Sequence, residues 1–124
     1  MADLYETMST LRAVRRLRPD PIPDDVMERL LQAACWAPTG GNQQPWMVIV
    51  VTDAEKKQAL KDIYQPEWAR YIVGYHKRME GLPEAEVEKR LKMVTAGDYL
   101  ADHLHEAPAI LMFCADPSRM AITD

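Results

Sequence analysis

A chain of 124 residues with a formal net charge of −4 is long enough for one domain and too acidic for nucleic acid to be its main partner. The longest apolar run, around residues 46–51, is far too short to cross a bilayer, and the N-terminus lacks the apolar stretch of a signal peptide. The two cysteines are too few for a disulfide framework. We therefore expect a cytoplasmic protein with reduced thiols and no membrane partner.

The first third of the chain predicts two helices joined by an extended connector. Apolar residues recur at helical spacing within residues 3–11, and three prolines within residues 18–25 exclude a helix there. The clearest helix spans about 24–36, where apolar residues recur every three or four positions between charged ones. Because Cys35 lies within this pattern, we expect its thiol to be buried and unreactive.

Two apolar runs, residues 47–52 and 109–115, predict strands that are buried on both faces. Two such strands leave both outer edges of their sheet without hydrogen-bond partners. We therefore expect further strands, either from a second polypeptide or from a C-terminal part of the fold outside these residues.

The region between the strands is predicted to be helical. Asp53 is expected to begin a helix of about 54–63. Residues 64–96 contain two Pro-Glu pairs that are typical of helix starts, and they form either a mobile cover over a pocket, a partner-facing surface or an amphipathic hairpin on the core. A last helix, residues 97–108, is expected to begin at Asp98.

Two segments carry residues suited to binding a ligand. Guanidinium groups match phosphate oxygens, so the arginine segment, residues 11–18, indicates either a small anionic ligand or a solvated charge run. The loop "APTGGNQQPW", residues 37–46, contains two glycines that permit close backbone approach, and Asn42 and Gln44 offer donors and acceptors. These amides suit either the polar edge of a heterocycle or the bonding of a tight loop.

No metal site or catalytic side chain is predicted. His103 and His105 are two positions apart on a predicted helix and therefore point to different sides, and His76 is remote in sequence. The chain contains no motif of a zinc protease, a serine hydrolase or a phosphate-binding P-loop.

Taken together, the stretch "TLRAVRRLRPDPIPDDVMERLLQAACWAPTGGNQQPWMVIVV", residues 10–51, resembles the N-terminal signature of the nitroreductase family. Residues 97–115 resemble the family's next helix–strand unit. The resemblance implies an α+β fold (an α/β sandwich) whose central, mainly antiparallel sheet is flanked by helices. Residues 1–124 would then be a single domain, apparently incomplete at its C-terminus, holding about the N-terminal half to two-thirds of the fold.

The same resemblance implies a homodimer with FMN at its interface, and electron transfer from NAD(P)H to a nitroaromatic compound or quinone in alternating half-reactions. The family's leading arginine is Leu11 here and its serine is Ala13, so one phosphate contact and one hydroxyl are missing. The residues that would lie at the FMN phosphate, ribityl or pyrimidine end are Arg12, Ala13 and Arg15, and those lining the isoalloxazine ring are Pro38, Thr39, Gly40, Asn42 and Gln44.

Three alternatives remain open. The same flavin site serves other reactions in relatives, such as reductive dehalogenation or flavin breakdown, and residues 64–96 as a substrate lid would decide between them. A protein that stores FMN without turnover would share the site. Finally, a chain holding half a site would bind no flavin alone and would need a second chain to complete it.

Overall fold

Six main elements follow one another in residues 3–119, the part of the chain that this computed structural model describes. They are α1 (Leu4–Thr10), α2 (Asp24–Cys35), β1 (Trp46–Val51), α3 (Ala54–Lys77), α4 (Glu84–His103) and β2 (Ile110–Ala115). Short 3-10 turns occupy Gly40–Asn42, Leu104–Glu106 and Pro117–Arg119. The two predicted strands are present, and each region predicted to be helical contains helix, but several boundaries differ.

Helix α3 is one continuous helix of 24 residues, so the predicted end at residue 63 is wrong. Its start is confirmed, because the Asp53 carboxylate accepts a hydrogen bond of 2.9 Å from the Lys56 backbone N–H. Pro66 lies inside the helix, where a proline removes one backbone hydrogen bond and costs about 3 kcal/mol. Packing of the surrounding turns on α4 offsets this cost.

Two hydrogen bonds tie α3 to α4 around that proline. The Trp68 Nε1–H donates to the Asp98 carboxylate at 2.7 Å, and the Gln65 amide donates to the Asp102 carboxylate at 2.6 Å. The prediction that Asp98 begins a helix is therefore wrong: it lies inside α4, and its side chain bonds to a neighbouring helix rather than to its own backbone. A carboxylate that resembles a helix cap in sequence instead joins two helices.

Gly97 lets the two helices approach closely at the same place. It is buried, and a Cβ atom built on it would overlap the ring of Trp68. The buried apolar side chains in the described residues gather mainly in this hairpin: Val51, Ile72, Met79, Val94, Ala101 and Ala107. A glycine is needed at this position because the indole ring occupies the space of its missing side chain.

The sheet has two antiparallel strands in the described part of the chain, with Trp46 opposite Ala115 and Val51 opposite Ile110. The prediction of burial on both faces is wrong here, since Ile49 is 43 % exposed and Phe113 is 67 % exposed. Within residues 3–119, no other layer covers these side chains. The expectation of additional strands stays a prediction.

Helices α1 and α2 form where their periodicity predicts them, but neither contains a buried residue. The Cys35 thiol is exposed, which corrects the prediction that it is buried. The apolar stripe of α2 is present, as the periodicity predicts, yet Leu30 on it is 49 % exposed. Periodicity predicts an apolar face without specifying what covers it.

We expect Gly97→Ala to lower the free energy of unfolding by about 1–3 kcal/mol, because the new methyl group must displace the Trp68 ring. Urea denaturation followed by circular dichroism measures the change. Gly74→Ala in α3 is the matched control: its Cβ would meet open space, so the substitution should stabilise the protein by about 0.5–1 kcal/mol. A Gly97→Ala protein as stable as the unsubstituted chain would contradict this packing.

Candidate functional site

The loop between α2 and β1 has three residues in the left-handed backbone region. Gly41 has φ of 58°, Asn42 of 54° and Gln44 of 46°. Glycine adopts this region without cost and asparagine tolerates it, whereas a glutamine there is strained. The loop therefore holds Gln44 in a conformation that needs support from other interactions.

A relay of hydrogen bonds supplies that support. The Trp46 Nε1–H donates to Gln44 Oε1 at 2.7 Å, and Gln44 Nε2 donates to Asn42 Oδ1 at 2.9 Å. Because an indole nitrogen only donates, the Gln44 oxygen must face Trp46. This fixes Gln44 Nε2 toward Asn42, so the Asn42 oxygen is also engaged. The amide NH2 group (Nδ2) of the exposed Asn42 side chain then remains as a donor.

The backbone of Gln44 is fixed as well, since its N–H donates to Thr39 Oγ1 at 3.0 Å. Thr39 is half-buried and acts here within the loop, while Pro38 and Gly40 are exposed. A Cβ built on Gly40 would meet no heavy atom within 4 Å, so this side of the loop is open to a ligand. What the loop presents to a ligand is the Asn42 amine and an uncovered glycine backbone.

Two contacts that the sequence did not predict anchor the loop to the end of β2. The Asp116 N–H donates to the Pro45 carbonyl at 2.7 Å, and Arg119 donates to the Gln43 carbonyl at 3.3 Å. Hydrogen bonds from Ser118 lower the pKa of the Asp116 carboxyl below its usual value. Arg119 lies 76 residues beyond Gln43 in the chain, and no local pattern indicates the contact.

The arginine segment forms the second group of predicted site residues. Arg12 is exposed and donates to the Ser9 carbonyl at 2.9 Å at the end of α1, and Arg15 is half-buried. Ala13 between them is exposed. In the described part of the chain, no hydrogen bond or ion pair joins this segment to the loop, so the predicted residues form two separate groups.

Both groups offer mainly hydrogen-bond donors. The Asn42 and Gln44 side-chain oxygens each accept a hydrogen bond within the loop, whereas the exposed Gln43 amide offers both a donor and an acceptor, and guanidinium groups have no acceptor. Such groups suit a ligand that carries a phosphate and carbonyl oxygens. Among residues 3–119, no cluster of three His, Cys, Asp or Glu side chains is arranged to hold a metal, and no helix is both long and apolar enough to span a membrane.

Comparison with known proteins identifies relatives over most of the chain. The profile described as "Nitroreductase family" matches residues 10–123. A solved structure, a BluB-like flavoprotein from Clostridium difficile 630, superposes on 91 % of this chain and 48 % of its own with a TM-score of 0.57 and 19 % sequence identity. The predicted family resemblance and the α+β fold class are thus confirmed.

Curated relatives of the chain include iodotyrosine deiodinases. The protein from Drosophila melanogaster is 31 % identical over 110 residues, and iodotyrosine deiodinase 1 from Rattus norvegicus is 28 % identical over 110 residues. A NADH dehydrogenase from Thermus thermophilus is 43 % identical over 51 residues, 41 % of this chain and 25 % of that protein. The alignment with the fly deiodinase covers 88 % of this chain, and the alignment with the rat deiodinase covers 89 % of it. Each covers only 36 % of the length of the deiodinase.

We expect Trp46→Phe to lower the free energy of unfolding by about 0.5–1.5 kcal/mol, because it removes the donor that holds Gln44 Oε1. Thermal and urea denaturation followed by circular dichroism measure the effect. Trp36→Phe is the matched control, since Trp36 is 75 % exposed and the same change there should leave stability unaltered. Equal effects of the two substitutions would mean that the relay contributes nothing.

Proposed function

This chain belongs to the nitroreductase family, and from that premise we propose that it binds FMN and carries out a flavin-dependent reduction, favouring reductive dehalogenation of a halogenated aromatic compound. The observation that carries the choice of reaction is the extent of the matches. An alignment of 110 residues in a chain of 124 necessarily enters the α3–α4 hairpin. The deiodinase alignments therefore include residues of this hairpin, whose sequence is compatible with a cover over a pocket.

The residues of the site fit FMN. The Asn42 amine and the open backbone at Gly40 suit the carbonyl-bearing edge of the isoalloxazine ring. Arg12 and Arg15 suit the phosphate, because guanidinium groups bind phosphate oxygens through paired hydrogen bonds. Thr39 acts from within the loop by holding the Gln44 backbone. Pro38 and Ala13, both exposed, are proposed as lining residues.

When bound, FMN supplies the two-electron chemistry of the reaction. In reductive dehalogenation, the carbon–halogen bond of the substrate breaks, two electrons and one proton enter, and the products are the aromatic C–H compound and a halide ion. The Asn42 amide N–H would stabilise the negative charge that accumulates when a flavin is reduced, because the relay already orients it, and Arg12 and Arg15 would hold the phosphate. No side chain of this chain is assigned as a general acid or base.

The α3–α4 hairpin offers a surface for an aromatic substrate. Three aromatic rings form a row along α3: Trp68, Tyr71 and Tyr75. The ring centroids of Trp68 and Tyr71 are 5.6 Å apart, and those of Tyr71 and Tyr75 are 6.2 Å apart. Tyr71 in the middle is 52 % exposed. Aromatic rings attract one another in offset and tilted arrangements, so this row is suited to stack on a halogenated ring.

A second candidate is reduction of a nitroaromatic compound or quinone with NAD(P)H. The similarity to the NADH dehydrogenase from Thermus thermophilus favours it, but that match covers 51 residues, fewer than half of the chain. Under either reaction, we propose a homodimer with the flavin at its interface. The exposed side chains of Phe113, Ile49 and Leu30 provide apolar area that a partner or further strands would cover.

One experiment separates these functions. The purified chain is titrated with FMN, reduced anaerobically with dithionite or with NADPH, and then mixed with iodotyrosine or with a nitroaromatic compound. Dehalogenation predicts release of iodide after dithionite reduction. Bleaching by NADPH followed by loss of the nitro compound supports the second candidate instead. Bound flavin that neither acceptor reoxidises indicates storage, and a chain that takes up no flavin refutes the proposal for this polypeptide.

We expect Asn42→Asp to weaken binding of FMN at least tenfold, because it replaces the outward amine with a negatively charged oxygen while keeping the acceptor for Gln44. The substitution should weaken the binding of reduced flavin more than that of oxidised flavin, and it should therefore lower the reduction potential of the bound flavin. Fluorescence titration and spectroelectrochemistry measure the two effects. Gln43→Glu, the same change at the exposed neighbouring residue, is the control for added charge and should leave both values nearly unchanged.

A further inference from the structure

A stack of three side chains joins the arginine segment to α4. The Arg16 guanidinium carbon lies 4.0 Å from the centroid of the Tyr99 ring, and the His103 ring is stacked on Tyr99 with centroids 4.0 Å apart and planes 11° from parallel. Two groups so close to one ring centre would overlap if they shared a face, so they occupy opposite faces. Tyr99 is therefore the middle layer.

The lower layer is held in place by its own helix. His103 Nδ1 lies 2.8 Å from the Tyr99 carbonyl oxygen, and because a carbonyl only accepts, this nitrogen carries the hydrogen and donates. Tyr99 and His103 are half-buried and four residues apart, on one face of α4. The His103 ring is thus held against Tyr99 by a hydrogen bond within α4, and it backs the ring face that Arg16 contacts.

The arginine segment needs such an attachment. It has no regular secondary structure after α1, and of its side chains only that of Arg15 is half-buried. The other arginines that flank Arg16 bond within the N-terminal region: Arg12 to the Ser9 carbonyl, and Arg18 to the Asp20 carboxylate at 2.9 Å. Arg16 contacts a helix of the packed hairpin at Tyr99, and it also lines a hollow along α4 with Leu91 and Thr95.

We propose that the Arg16–Tyr99–His103 stack is a clasp that positions the arginine segment, so that Arg12 and Arg15 are already placed when a flavin phosphate binds. This inference rests on the proposed function. Fixing a flexible segment before binding improves affinity, because the entropy of ordering it is no longer lost on association. Arg16 and Tyr99 are positioning residues: they act through the segment without touching the phosphate.

The test compares FMN with riboflavin, which lacks the phosphate. Tyr99→Leu removes the ring face and Arg16→Gln removes the cation. Each should lower FMN affinity about three- to tenfold, in the range of one cation–π contact, and should leave riboflavin affinity unchanged. Tyr99→Phe keeps the ring and should bind FMN like the unsubstituted chain. Fluorescence titration gives both dissociation constants.

Arg18→Gln is the matched control for charge, because it removes the same charge from the same segment at a residue paired with Asp20. It should change FMN affinity much less than Arg16→Gln does. Equal losses in the two variants would show that Arg16 acts only by long-range attraction, which overturns the clasp. Equal losses for FMN and riboflavin would show general damage to the fold, and this too overturns it.

A second measurement needs no flavin. Trypsin cleaves exposed, mobile chain after arginine, and the Arg18 bond is protected because Pro19 follows it. Tyr99→Leu should speed cleavage after Arg15 and Arg16 several-fold, whereas Tyr99→Phe should not, as followed by mass spectrometry of the products. Unchanged cleavage in Tyr99→Leu refutes the clasp. If the unsubstituted chain binds neither flavin while cleavage responds as expected, the proposed function fails and the attachment stands.

Discussion

The contact of Trp68 with Gly97 is the constraint on which the packed part of this chain depends. The indole lies where a side chain on α4 would otherwise be, and its nitrogen bonds to Asp98 one residue further along. This double contact keeps α3 helical through Pro66, since the packing free energy on either side of the proline exceeds the cost of the missing hydrogen bond. It also holds α4 in place as the surface on which Tyr99 and His103 receive the arginine segment.

The loop between α2 and β1 reaches a fixed arrangement by a different route. Its apolar burial is slight, and its shape depends on a chain of polar contacts that begins at Trp46 and ends at Asn42. Each contact determines the orientation of the next, because indole only donates and each amide has one oxygen. The consequence is chemical as well as structural: because the Asn42 and Gln44 oxygens already accept hydrogen bonds, the Asn42 side chain is left to act mainly as a donor.

The sequence predicted the elements better than their limits. The periodicity of residues 24–36 matches α2, observed as Asp24–Cys35, because that signal is repeated over many residues. The helix boundaries predicted near Pro66 and at Asp98 were wrong, because each rested on a local signal that the contacts between α3 and α4 override. Burial of the strands was not predictable, since it depends on the layers that cover them. Within the site, the residue types of the loop were informative, whereas the contacts of Arg119 and Arg16 arise between distant parts of the chain and were not predicted.

The electrostatic character of the site follows from the arginine segment and from the loop between α2 and β1. The chain carries a net charge of −4, yet the arginine segment concentrates positive charge near the N-terminus, and the loop adds the oriented Asn42 amide donor. In the proposed function, the arginine segment would hold the phosphate, and the loop donors would meet the ring, where reduction adds negative charge. Donors that stabilise a reduced flavin more than an oxidised one raise its reduction potential. The same arrangement that retains the flavin would therefore also limit how strong a reductant it becomes.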